Sequence, residues 1–373
     1  MDNQQASQSG RRLALQQRLA PAYRAEFFEA LAAACPGGLN ILAGQPMPGE
    51  AMGPQASPAR AGFTPTRNRY FFGGSLTLVW QAGWRAWLES WAPDALVVEA
   101  NPRNLSIPRA AAWMHRRGKP VIGWGLGAPP RSGRLEAIQG ALWRALLGQF
   151  DALITYSRQG ADEFARLGYP AEKIFVAPNA VTRRPPQPPH RPELLQRKPV
   201  VLFVGRLQPR KRVDLLVRAC AALPAARQPE LWIAGDGPAR PDLQALAGSA
   251  YPPARFFGDQ RGGDVERLFA GADLFVLPGT GGLAVQEAMS AGLPVIAAEA
   301  DGTQADLVRP ENGWCLPPGD FSALVGMLNE ALGDIPRLRR MGAASYRIVA
   351  QEVNVEAMVD IFLKALDLAG SKS

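Results

Sequence analysis

Arg206 and Lys211 are cations, the second five residues after the first, at the exit of an apolar run over Val200–Val204. Flanking a strand end at that spacing, they carry the charge to neutralise a diphosphate. A second stretch with chemistry in it is LPGTGGLAVQEAMSAGLPVI, residues 277–296. It follows the apolar run 272–277, which reads as a buried parallel strand. Gly279, Gly281 and Gly282 then make a turn, Leu283–Ser290 has helical character, and Gly292 with Pro294 stops it. Strand, glycine turn and helix N-terminus together suit a phosphate: glycines admit a close backbone, and free N–H groups and the helix dipole face the anion. Glu287, one turn into that helix, can accept hydrogen bonds from sugar hydroxyls. An ordinary βα turn with a surface glutamate has the same pattern. Gly235-Asp236-Gly237-Pro238 is a third strand end of this kind.

The elements that position these groups follow from hydrophobic periodicity. In the N-terminal half, strands are expected over 12–16, 39–43, 70–72, 95–99, 121–124, 152–156 and 174–177. Helices are expected over 23–34, 75–91, 105–117, 135–148 and 159–167, and a lid-like loop rich in Pro, Gly and Ala over 44–66. RRPPQPPHRP, residues 183–192, reads as a stiff linker in which His190 is solvated. Beyond it come strands over 200–204, 231–234, 255–257, 272–277, 294–298 and 313–316, and helices over 213–223, 242–247, 265–269, 321–332, 336–349 and 356–369. Regular alternation implies right-handed crossovers and mainly parallel sheets. The fold class is α/β, two Rossmann-like doubly wound domains facing a central cleft, with ligands at the carboxyl ends of strands. The domains are 1–182, joined by the terminal helix 353–373, then a linker over 183–197, then 198–352.

At 373 residues the chain is long enough for two full cores. With 47% hydrophobic and 20% charged residues it is globular and not disordered. No apolar run reaches the roughly 18 residues that span a bilayer, and the polar opening MDNQQASQSGRR reads as no signal peptide. A cytoplasmic place follows, at most peripheral on the inner face of a membrane. Cys35, Cys220 and Cys315 are too scattered for a disulfide framework or zinc spacing. His115 and His190 are the only histidines, which excludes a histidine metal cluster. Residues 1–190 hold 21 Lys and Arg against 12 Asp and Glu, a net +9, and residues 191–373 hold 20 against 21, a net −1. That asymmetry suits an anionic partner for the first half: a membrane surface, a phosphate-bearing acceptor or nucleic acid. A generally arginine-rich protein has the same balance. No nucleic-acid motif is present and the basic residues are dispersed, so nucleic acid is the weakest of the three.

In this order and spacing, the three strand ends resemble the retaining nucleotide-sugar glycosyltransferases of the GT-B fold, in the family 4 (group 1) type. The family's Gly-Arg-Leu followed by Lys is matched at Gly205, Arg206, Leu207 and Lys211, and its Gly-Asp-Gly-Pro at 235–238. A later series is matched at Asp301, Gly302, Asn312, Gly313 and 317–320, and Val-x-Pro-Asn before the linker at Val176, Pro178 and Asn179. The N-terminal half is similar only in layout, as an acceptor-binding domain. The resemblance implies that Arg206 and Lys211 hold the donor diphosphate and stabilise the leaving nucleotide. Gly205 and Gly237 would line the donor site, Gly282, Leu283 and Ala284 would offer backbone N–H groups, and Glu287 would bind ribose. No cofactor or metal is implied, since these cations and the helix dipole supply the compensating charge. The implied partners are a nucleotide-sugar donor and a saccharide or lipid-linked acceptor.

This chain departs from the family pattern twice. The family's partner glutamate, separated from Glu287 by seven intervening residues, would fall at Gly279, and the histidine many members carry after strand 121–124 is replaced by Gly125-Leu126-Gly127. Glu99 ends a strand and is followed by Asn101 and Arg103, a trio suited to acceptor or donor-sugar contact. Pairing of Glu99 with Arg103 or Arg24 is the plain structural alternative. Trp80, Trp84, Trp87 and Trp91 recur at helical spacing, as core, membrane interface or acceptor groove. His115, Arg116, Arg117 and Lys119 suit anionic headgroups or a helix C-terminus. Against transfer stand an epimerase or phosphorylase of the same fold, and a silent sugar-nucleotide-binding or scaffold subunit.

Overall fold

The computed structural model describes residues 10–371 except 48–49, 51–54, 57, 75–76, 129–135 and 194. The polar opening and the first residues of the expected helices over 75–91 and 135–148 lie outside them. The chain forms two compact units, Met1–Val181 with Val355–Ser373, and Thr182–Asn354.

The first unit runs β1 (Leu13–Gln17), α1 (Ala25–Ala34), β2 (Leu39–Gly44), β3 (Gly62–Thr66), β4 (Asn68–Phe71), β5 (Leu78–Gln81), α2 (Trp84–Trp91), β6 (Ala95–Glu99), α3 (Ile107–His115), β7 (Val121–Gly125), α4 (Glu136–Leu147), β8 (Ala152–Thr155), α5 (Arg158–Arg166) and β9 (Ile174–Val176). Its sheet has the order β3-β2-β1-β6-β7-β8-β9 and every pairing is parallel. Strands such as ALVVE and ALIT are apolar almost throughout because helices cover both faces. Phe27 of α1 packs on Trp124 of β7, with ring centroids 5.5 Å apart. On the other face Leu88, Ile107 and Met114 are fully buried. Each such side chain stabilises by about 1.5–3 kcal/mol.

The second unit runs β10 (Val200–Val204), α6 (Val213–Ala222), β11 (Glu230–Ala234), α7 (Arg240–Ala250), β12 (Ala254–Gly258), α8 (Gly263–Gly271), β13 (Leu274–Leu277), α9 (Leu283–Ser290), β14 (Val295–Ala298), α10 (Thr303–Leu307), β15 (Gly313–Leu316), α11 (Phe321–Ala331) and α12 (Ile335–Gln351). Its parallel sheet has the order β12-β11-β10-β13-β14-β15. The last helix, α13 (Val355–Gly370), returns to the first unit, where Phe362 packs on Phe27 and Trp124 at 4.9 and 5.0 Å. Two Rossmann-like parallel sheets are thus present, as the alternation implied.

Several expectations need correction. The segment 75–91 is not one helix. Leu78–Gln81 is a strand pairing antiparallel with β4, and the Gln81 amide is buried in hydrogen bonds to the Gln16 side chain and the Gln17 carbonyl. Gly83 then takes a left-handed φ of 74° and starts α2 afresh. Trp80 therefore leaves the helical stripe. Trp84 and Trp87 are core, and the Trp87 and Trp91 indoles donate to Asn40 and the Leu13 carbonyl. The expected loop 44–66 ends in β3, an edge strand, where Pro65 is tolerated because one side lacks a neighbour.

The proline-rich segment is docked on the second unit. Arg191 donates to the carbonyls of Phe269, Ala272 and Ala291, which end α8 and α9. His190 is exposed. In the basic cluster, His115 pairs with Asp151 at 3.0 Å, Lys119 with Asp94 at 2.7 Å, and Arg117 lies over Trp113. The three cysteines are free.

Candidate active site

β10 and β13 are neighbours at the point where the second sheet reverses its strand order. Their two candidate phosphate loops therefore leave the carboxyl edge side by side. The loop after β10 is tied to the loop after β11. Gly205 N–H donates to the Ala234 carbonyl at 3.0 Å, Leu207 N–H to the Asp236 carbonyl at 2.8 Å, and Ala239 N–H back to the Leu207 carbonyl at 3.0 Å. Leu207 is fully buried and anchors the loop, while Arg206 beside it is exposed. Only glycine fits at Gly235, where φ is 134° and a Cβ would stand 2.0 Å from the Gly205 carbonyl oxygen. Gly237 N–H donates to the Asp236 carboxylate, which Arg240 also binds. The Arg206 guanidinium has no hydrogen bond or ion pair among the described residues, so its donors are free for a ligand.

Lys211 closes the short turn Pro209–Lys211. Arg212 follows in a left-handed conformation, φ 52°, which for a residue with a side chain costs about 1–3 kcal/mol. The turn is stitched to the glycine turn after β13. Lys211 Nζ donates to the Thr280 carbonyl at 2.6 Å, Arg210 Nη1 to the Thr280 hydroxyl at 3.0 Å, and Thr280 N–H to the Arg210 carbonyl at 3.1 Å. Burial, helped by the Arg210 charge, pushes the Lys211 ammonium down to about 8.

The glycine turn leads into α9. Gly282 is its N-cap and Leu283 and Ala284 open its first turn, so their N–H groups have no acceptor within the helix and lie at its positive end. Glu287 follows one turn later, half-buried and without a partner among the described residues. Burial pushes its carboxyl up. Sequence reasoning missed Gln304, which is fully buried. Its Nε2 donates to the Gly281 carbonyl at 2.6 Å, and its Oε1 accepts from the N–H groups of Ala300 and Asp301. It braces the glycine turn against the loop after β14. No sequence signal marks it, because its role comes from the fold.

In the first unit, the expected trio shares the turn after β6, where Asn101 N–H donates to the Glu99 carbonyl at 2.8 Å. Asn101 Oδ1 accepts from Arg103 N–H at 3.1 Å, and the Arg103 carbonyl accepts from Val79 N–H, so both residues shape the turn after β6. The cations that act on Glu99 are Arg18 and Arg24. Burial pushes the Glu99 carboxyl up, opposed by the Arg18 backbone N–H and both arginine charges. Arg18 is held by Glu50 through two hydrogen bonds, 2.8 and 2.6 Å. Arg24 is 9% exposed. It donates through Nη2 to the Tyr156 hydroxyl at 2.6 Å and lies 4.2 Å from the Trp124 ring centroid. Its Nε and Nη1 are buried without a partner among the described residues. The ring contact offsets about 0.5–2 kcal/mol, whereas each unsatisfied donor costs about 1–3 kcal/mol.

Comparison with known proteins agrees with this layout. Residues 188–348 match the family described as glycosyl transferases group 1, and residues 14–180 match the glycosyl transferase 4-like domain. The sulfoquinovosyl transferase SQD2 of Arabidopsis thaliana is 38% identical over 40% of this chain, and the match spans only 29% of that relative. The lipopolysaccharide core biosynthesis glycosyltransferase LpsE of Rhizobium meliloti is 27% identical over 76% of this chain and 87% of its own length. Among solved structures, HepE of Anabaena in complex with UDP superposes with a TM-score of 0.70 at 18% identity, covering 96% of this chain and 99% of that one. At that identity the likeness concerns the fold. The two profile matches between them take in both units, and the chain belongs to the glycosyl transferase group 1 family, with a glycosyl transferase 4-like domain in its first unit.

Proposed function

We propose that this chain transfers a sugar from a nucleotide diphosphate sugar to an acceptor hydroxyl, with retention and without a bound metal. The observation that supports the reading is the Lys211 contact with the glycine turn that opens α9, with Arg206 on the same loop after β10, at the switch point of one sheet. The second unit is the nucleotide-sugar domain. Arg206, Lys211 and the first N–H groups of α9 stabilise the charge that grows on the departing diphosphate. Such preorganised donors are often the largest catalytic contribution, each worth on the order of 100-fold. Gly205 and Gly237 let the backbone approach the donor, and Glu287 accepts from ribose hydroxyls. The acceptor oxygen attacks from the face the diphosphate leaves, and the diphosphate itself takes the acceptor proton. No protein base is then required.

The first unit is the acceptor domain, with Glu99 at the carboxyl edge of its sheet. The acceptor class is a saccharide or lipid-linked saccharide of the cell envelope or an exopolysaccharide, in keeping with the names of relatives such as LpsE. A peripheral place on the inner face of a membrane fits the net +9 of residues 1–190, and Phe71 and Phe72, 45% and 74% exposed, beside exposed Arg69. Turnover of a panel of sugar nucleotides with cell-envelope extracts as acceptor, with and without EDTA, tests the reading. Proton NMR of the product should show the anomeric configuration of the donor and an unchanged rate in EDTA. Binding of a sugar nucleotide without turnover in every extract would favour a silent binding subunit.

A further inference from the structure

The first unit holds a buried cation that the donor-side chemistry does not use. Arg24 follows β1, next to the carboxyl edge of the sheet, where Glu99 ends β6 and Trp124 and Tyr156 stand at the ends of β7 and β8. These are successive strands of the sheet, starting from its switch point. Arg18, the other cation here, is held through both Nη atoms by Glu50 and Tyr70. Arg24 is not. Nη2 donates to the Tyr156 hydroxyl and the Tyr23 hydroxyl also acts on the guanidinium, while Nε and Nη1 are buried and unsatisfied among the described residues. No ion pair joins it to Glu99 among the described residues, although the two charges act on each other. Unsatisfied buried donors on a charged group are rare in folded chains, because water has been removed and nothing has replaced it.

We propose that Arg24 seats an oxyanion, a carboxylate or phosphate, carried by the acceptor. The proposal rests on the reading that the first unit takes the acceptor. Guanidinium is the group that matches such oxyanions, and the hydrogen bonds it forms to them are charge-assisted. A neutral saccharide leaves the two donors with at best weak partners, so the seat selects anionic acceptors over neutral ones of the same shape. Tyr23, with its ring centroid 5.7 Å from the guanidinium, is 42% exposed and flanks the seat on the surface side.

The test is calorimetric titration of the whole chain with glucose, glucuronate, glucose 6-phosphate and inorganic phosphate, with saturating nucleoside diphosphate present to fill the donor site. At least one anionic sugar should bind about tenfold or more tighter than glucose. Glucuronate against glucose 6-phosphate distinguishes a carboxylate from a phosphate acceptor. Arg24→Gln should erase the preference and Arg24→Lys should keep part of it. Should Arg24→Gln fail to fold, the wild-type comparison and Arg24→Lys still decide. Equal binding of glucose and every anionic probe overturns the proposal, as does an anion preference that survives in Arg24→Gln. So does anion binding that disappears when nucleoside diphosphate is added, since it then belongs to the donor site. Failure to bind any sugar nucleotide, with the anion preference intact, would overturn the transferase reading and leave the seat standing.

Discussion

Gly279 lies directly against the backbone of Lys211. A Cβ on Gly279 would stand 2.5 Å from the Lys211 carbonyl carbon and 2.3 Å from the Arg210 carbonyl oxygen. The bare backbone at 279 is thus what lets the Arg210–Lys211 turn seat on the glycine turn, and it brings Lys211 Nζ to the Thr280 carbonyl. With the turn seated this way, a glutamate side chain at 279 has no room to start.

Gly279→Glu should therefore harm the protein and not restore a familiar site. Backbone lies where the new side chain must start, so relief requires the turn to move. Overpacking of this kind costs about 1–3 kcal/mol or more, and each kcal/mol lowers the melting temperature by about 2–4 °C in a domain of this size. Calorimetric melting and nucleoside diphosphate titration should both show a loss. A variant that melts with the wild type and binds donor equally well would rule out the close seating.

The proposed role of Lys211 predicts a pH profile for donor binding. The diphosphate needs the ammonium form, which burial makes harder to hold above about pH 8. Affinity for nucleoside diphosphate should be flat below that pH and fall by about tenfold per pH unit well above it. The sign for folding is opposite. A folded pKa below the ordinary 10.5 means the unfolded chain binds more protons between about 8 and 10.5, so this group's contribution to stability rises with pH there. Titrations of wild type and Lys211→Met across that range separate this group from others: the variant should bind weakly and without the slope.

Glu287 is a carboxylate kept half-buried with no partner, a cost to folding if its use is to receive ribose hydroxyls. Its raised pKa means that the charge destabilises the fold at neutral pH, and protonation relieves that as pH falls. Glu287→Gln should melt at the same temperature or higher, yet bind nucleoside diphosphate about tenfold to a hundredfold more weakly. Pyrophosphate, which has no ribose, should bind both proteins alike. An equal loss for pyrophosphate would place Glu287 on the phosphates.

Much of the donor side was legible in the chain itself. Apolar runs such as Val200–Val204 and the glycines at 205, 235 and 279–282 mark strand ends because buried parallel strands are continuous in sequence and tight turns demand glycine. What was not legible arises from tertiary contact. Trp80 fell in step with a helical period by chance, and only its pairing with Arg69 across β4 and β5 makes it a strand residue. β3 has no alternation, and a proline such as Pro65 fits a strand only at an edge like this one. Arg191 looked like one more charge in a linker, although its guanidinium closes the ends of two helices. Gln304 is an unremarkable letter whose meaning comes from burial, and Arg24 stood in the sequence only as a candidate partner of Glu99.

The diphosphate grip itself is tested most directly by donor hydrolysis and binding in wild type, Arg206→Ala and Lys211→Ala. Arg206 is exposed and unpartnered among the described residues, so its removal should leave the melting temperature unchanged. The expected result is slow release of nucleoside diphosphate from one member of a sugar-nucleotide panel, with each substitution lowering kcat/KM on the order of 100-fold. A protein that binds no sugar nucleotide, or variants that turn over the donor as fast as the wild type, would contradict it.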